Sequence, residues 1–105
     1  MINELELRAE KIIVLCNDIL ALNNSPNMFV VGIIKREFET IKNSLIKEKK
    51  VIVLTKKRDL WAYKTIMDSA IFEYDKHLFD KVYEFQKMCR KLPLRQCIIQ
   101  HGDFR

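Results

Sequence analysis

Thirty-four residues from Asp59 to Leu92 run without a glycine or a proline, and no other stretch constrains the fold as much. Leu60, Tyr63, Met67, Ile71, Tyr74, Leu78, Val82, Phe85, Cys89 and Leu92 follow one another in it at spacings of three or four. Their mean step matches an untwisted α-helix, about 3.6 residues per turn, better than the roughly 3.5 of a supercoiled heptad, which favours a globular bundle over a long coiled coil. Trp61, Phe72, Phe79 and Tyr83 form a second, wholly aromatic row about 100° around the same helix. A helix apolar on two flanks is covered on two flanks. Glu73, Lys76, Asp80, Glu84, Lys87 and Lys91 fall on the opposite, wet face, where Lys76/Asp80 and Glu84/Lys87 have the spacing of helical ion pairs.

A single helix of this length would span roughly 50 Å, more than a compact chain of 105 residues needs. Asp75, beside the apolar row, is the natural breaking point, because aspartate there caps a second helix beginning at Lys76. The expectation is one helix over 59–92, or two that meet near residue 75.

Ahead of this tract, Ile2, Leu5, Ala9, Ile12, Cys16 and Ile19 alternate by threes and fours, flanked by Ile13, Leu15, Leu20 and Leu22. This predicts a helix over residues 2–22 with a wide apolar face. Ser25-Pro26 is a helix-start signal, since serine accepts from free backbone N–H groups and proline suits the first turn. The helix it opens, over 26–48, has Val31, Ile34, Phe38, Ile41 and Leu45 as its core row and Lys35, Arg36, Glu39, Lys42 and Lys47 toward water. Gly32 costs about 1 kcal/mol inside it relative to alanine, so a close helix crossing is expected there. After Lys50 the period changes. The β-branched runs at Val51-Ile52-Val53-Leu54 and Cys97-Ile98-Ile99 pair, if extended, as a ribbon between residues 51–55 and 96–100.

The fold class that follows is all-α: one domain over 1–105, a small antiparallel bundle of three to four helices with that minor two-stranded ribbon. Two glycines and two prolines in the whole chain suit long helices and leave no glycine-rich phosphate loop. Hydrophobic residues at 49% and charged ones at 31% place it among folded globular chains. No stretch approaches the roughly 20 apolar residues of a membrane span, and Glu4, Glu6 and Glu10 precede the first apolar run where a signal peptide has cations. Three cysteines, an odd number with Cys16 and Cys89 at apolar helical positions, read as reduced thiols, and the expected location is the cytoplasm.

Chemistry has little support in these residues. Cys89, Cys97 and His101 offer one short-spaced pair where a structural zinc site brings two, so no metal and no cofactor is inferred. His77 lies on the wet side of its helix without a motif, and Glu37 and Glu39, two apart, point to different faces and form no acid–base dyad. No catalytic residue and no small-molecule substrate is assigned. The expectation is a non-enzymatic protein.

The net charge of +5 is uneven: residues 1–50 carry eight Lys and Arg against seven Asp and Glu, residues 51–105 eleven against seven. An aromatic row rimmed by cations is the pattern of an interaction surface. The expected function is protein–protein association, as a small regulator or inhibitor that binds a partner protein or a second copy of itself. Trp61, Phe72, Phe79 and Tyr83 are its anchors, and Lys57, Arg58, Arg90 and Arg95 its basic rim. One alternative is a nucleic-acid-binding domain that uses the clusters at 47–58 and 87–95, namely Lys49, Lys50, Lys56, Lys57, Arg58, Lys87 and Lys91, to neutralise phosphates. Another, an immunity-type cytoplasmic helical protein, rests on size, charge and helix content alone.

Overall fold

The computed structural model describes residues 2–22, 28–53, 75–92 and 94–99, with 51–53, 94 and 97–99 described through their backbone. Among these residues three helices carry the core: α1 (Ile2–Leu22), α2 (Met28–Glu48) and α3 (Lys76–Arg90). A 3₁₀ turn follows α3 at Leu94–Gln96, and two three-residue strands, β1 (Val51–Val53) and β2 (Cys97–Ile99), run alongside each other. Trp61, Phe72, Lys56, Lys57, Arg58 and His101 lie outside the described residues.

Among the described residues the periodic rows are the buried ones, while Leu60, Tyr63, Met67, Ile71 and Tyr74 of the third row lie outside them. Leu5, Ala9, Ile12 and Cys16 of α1, all five core-row residues of α2, and Leu78, Val82, Phe85, Cys89 and Leu92 join one apolar cluster. Ile2 and Ile19, at the two ends of the first row, are partly buried against it. Leu22, past the end of the packing, is 69% exposed. Each large side chain wholly withdrawn from water contributes about 1.5–3 kcal/mol, so these rows, rather than helix propensity, hold the three helices. At the centre of the cluster the rings of Phe38 and Phe85 join α2 to α3.

Two details depart from the sequence reading. Lys35, Glu39 and Lys42 are half-covered rather than fully wet, because α1 packs alongside them. There Lys42 forms an ion pair with Glu10 of α1, and Lys35 one with Glu39 at 3.5 Å. Gly32 meets no close crossing: a Cβ built on it finds nothing within 4 Å among the described residues.

The helix ends follow from local chemistry. Asp75, at φ −127° and ψ 54°, is not helical, so 59–92 is not one uninterrupted helix. Its carbonyl accepts from the N–H of Phe79 at 3.1 Å, while its carboxylate makes no capping bond. At the other end Lys91 and Leu92 donate to the carbonyls of Met88 and Cys89, both at 3.1 Å, the i to i−3 tightening that closes a helix ahead of a proline.

α2 ends on Lys49, whose φ of 55° is left-handed and whose N–H donates to the Leu45 carbonyl at 3.1 Å. Buried Ser44 fastens this turn, its Oγ lying 2.8 Å from the carbonyl of Ile41 and 2.9 Å from that of Lys50. The chain then enters β1, which pairs with β2 in parallel, Val51 opposite Cys97, Ile52 opposite Ile98 and Val53 opposite Ile99. Parallel strands need a long crossover, and residues 54–96, with α3 among them, supply it.

Candidate interaction surface on the third helix

At helical spacing the core row of α3 separates two flanks. Phe79, Tyr83 and Arg90 lie on one, and His77, Lys81 and Glu84 on the other. On the first, Phe79 packs partly against the core and Tyr83, one turn later, is 39% exposed. Their rings are nearly parallel, 7° between planes and 6.1 Å between centroids. Lys87 extends the ladder by another turn: its Nζ stands 4.9 Å from the Tyr83 ring centroid and 3.2 Å from Glu84 Oε2. A cation over an exposed ring contributes about 0.5–1 kcal/mol. The geometry therefore holds the Tyr83 ring in one orientation on an accessible face.

Of the expected anchors, Phe79 and Tyr83 thus come together. Of the expected rim, Arg90 and Arg95 are exposed beyond them toward the C-terminal end of α3. Trp61, Phe72, Lys57 and Arg58 lie outside the described residues.

The strand register brings together two basic clusters that are distant in sequence. β1 and β2 start at the same end of their pair, Val51 beside Cys97. Lys49 and Lys50 lead directly into the first strand, and Arg95 enters the second through the 3₁₀ turn. Lys49, Lys50 and Arg95 therefore stand at one end of the strand pair, all exposed, and Lys47 on the last turn of α2 and Arg90 and Lys91 at the end of α3 are exposed as well. Cations in a last helical turn also offset the helix dipole, so part of this charge has a structural use.

Among the described residues, burial shifts the protonation of two groups strongly. Burial pushes the Cys16 thiol up to about 12, Lys35 opposing that shift and Asp75 and Glu39 adding to it, so Cys16 stays protonated and is no nucleophile. Burial also raises the Glu37 carboxyl to about 7. Its Oε1 is buried with no hydrogen-bond partner among the described residues, while Glu39 is occupied by Lys35. Cys89 is wholly buried in the core, and no group of three or more His, Cys, Asp and Glu side chains able to hold a metal occurs among the described residues. No helix of the described residues is long and apolar enough to cross a membrane.

The residues that sequence reasoning passed over lie on the second flank of α3. There His77 and Lys81 face Arg8 and Lys11 of α1 across a cleft. A cleft between helices depends on their placement, which no single periodic row encodes.

In comparisons with known proteins, no family model matches the chain, and no curated protein and no solved structure matches it.

Proposed function

We propose that this chain is a non-enzymatic interaction protein, a small regulator or inhibitor, which docks the aromatic-basic flank of α3 onto a partner protein or a second copy of itself. The observation that carries the reading is the Phe79–Tyr83 stack with Lys87 over it. A stiff aromatic loses little conformational entropy on binding, which is why tyrosine is common among the residues that dominate interfaces. Trp61 and Phe72, which precede the break at Asp75, are further anchors in this reading, and Lys57, Arg58, Arg90 and Arg95 its rim. A cationic rim fits a partner whose contact surface is acidic. The whole chain in this reading is an antiparallel bundle of three to four helices with the β1–β2 pair as its minor ribbon, acting in the cytoplasm.

The test compares Tyr83→Ala, Trp61→Ala and the charge reversal Arg90→Glu with the parent chain. Solution mass by light scattering and partner capture are read beside helix content. Loss of association with helix content intact supports the reading. Association unchanged in all three variants overturns it.

The placement of Lys49 and Lys50 at the same end of the strand pair as Arg95, with Arg90 and Lys91 exposed at the end of α3, favours a second reading, binding of a nucleic-acid backbone. Its mark is an affinity that falls steeply with salt as counterions are released, and it fails if no duplex or single strand binds at low salt.

A further inference from the structure

α1 and α3 enclose between them a cleft of about 470 Å³, within the roughly 300–1,000 Å³ usual for small-molecule sites. Its charged side chains are unequally engaged. All three carboxylates on its walls already have cations: Glu4 holds Arg8 at 2.8 Å, Asp80 holds Lys76 at 3.2 Å, and Glu84 holds Lys87 at 3.2 Å. Lys11 from one wall and Lys81 from the other make no ion pair or hydrogen bond among the described residues. Lys81 is moreover half-buried, and His77 stands on the same wall with its imidazole unengaged among the described residues. The floor beneath them is Ile12, 1% exposed. Counted with Lys76 and Lys87, which pair Asp80 and Glu84 from outside the lining, five cations stand against three carboxylates here, and the apolar side chain of Ile12 strengthens Coulomb attraction for an anion over its value at an open surface.

We infer that this cleft is a binding site for a small phosphomonoester, with Lys11 and Lys81 supplying charge from opposite walls and His77 a hydrogen bond. The match is one of charge and directionality. A phosphomonoester carries about 1.5 to 2 negative charges near neutrality and three acceptor oxygens, which suits two ammonium groups and a ring N–H converging from two helices. A monocarboxylate leaves one lysine uncompensated. The site lies on the flank of α3 opposite Tyr83, so it stands or falls apart from the docking surface proposed above.

The experiment is a two-dimensional amide NMR titration of the full chain with inorganic phosphate, with phenyl phosphate and with sodium chloride at matched ionic strength. The expected result is saturable shifts centred on residues 8–12 and 77–84 with both phosphates and none with chloride. Lys11→Gln and Lys81→Gln should each weaken binding roughly threefold to fivefold, the scale of one exposed ion pair, whereas Lys47→Gln, on the last turn of α2, should not. The unbound spectrum of each variant reports its fold. Tighter binding of phenyl phosphate assigns an organic phosphomonoester, and equal binding assigns recognition of the phosphoryl group alone. Shifts that fail to saturate, that chloride reproduces, or that Lys81→Gln leaves unchanged in a folded variant would overturn the assignment.

Discussion

Phe38 of α2 and Phe85 of α3 meet edge to face, ring centroids 5.0 Å apart and planes 80° apart, with both side chains wholly buried. The electron-poor edge of one ring lies against the electron-rich face of the other, a geometry that adds about 0.5–1.5 kcal/mol to the burial of the two rings. Truncating either to alanine should cost about 3–5 kcal/mol, a large part of the stability of a chain this size. A double-mutant cycle with Phe38→Leu and Phe85→Leu, by urea denaturation, should show the singles summing to more than the double by that coupling. Strict additivity would mean the rings matter only as volume.

Much of this core is legible in the sequence because it is local. Val31, Ile34, Phe38, Ile41 and Leu45 share a face whatever lies opposite, and the same holds for Leu78, Val82, Phe85, Cys89 and Leu92; every one of them is buried. What depends on two elements at once is not legible. The parallel sense of β1 and β2 is set by where two distant segments lie, and it alone brings Lys50 and Arg95 to one end of the pair. The uncompensated pair Lys11 and Lys81 likewise exists only because α1 lies beside α3. Gly32 shows the limit from the other side: its residue type suggests a close crossing, yet the space around it is open.

That open space makes Gly32→Ala a stabilising substitution. Gly32 sits within α2, its φ is not positive, and an added Cβ meets nothing within 4 Å among the described residues. Only the propensity gain remains, about 1 kcal/mol. Thermal unfolding should show a higher midpoint for the alanine variant. A lower one would place another part of the chain against this position.

Lys49 predicts the reverse order of the same two residues. At φ 55° a Cβ crowds the following carbonyl, a strain of about 1–2 kcal/mol that glycine escapes. Glycine also loses more chain entropy on folding, which offsets part of the gain. Comparing Lys49→Gly with Lys49→Ala removes the charge in both and leaves only the Cβ to differ. The glycine variant should be the more stable by about 0.5–1 kcal/mol, whereas inside α2 at position 32 alanine should win. Equal midpoints for the pair at position 49 would show that the left-handed turn is not held in solution.

Glu37 gives the fold a pH dependence of definite sign between about pH 4.5 and 7. Its carboxyl is raised from 4.5 to about 7 by burial, with a buried Oε1 that no donor among the described residues reaches. Well below pH 4.5 the group is neutral in both folded and unfolded chains and adds no pH-dependent cost. As pH rises from there the unfolded chain releases its proton while the folded chain keeps it, so stability falls. Above about pH 7 the folded chain carries the buried charge too, and the loss levels off. Glu37→Gln removes this titration, so the variant should gain on the parent by on the order of 1–3 kcal/mol between pH 4 and pH 8. Urea midpoints of both chains at pH 4, 6 and 8 make the comparison. A difference that stays constant with pH would mean that Glu37 has an ordinary carboxyl, with water or another part of the chain reaching its Oε1.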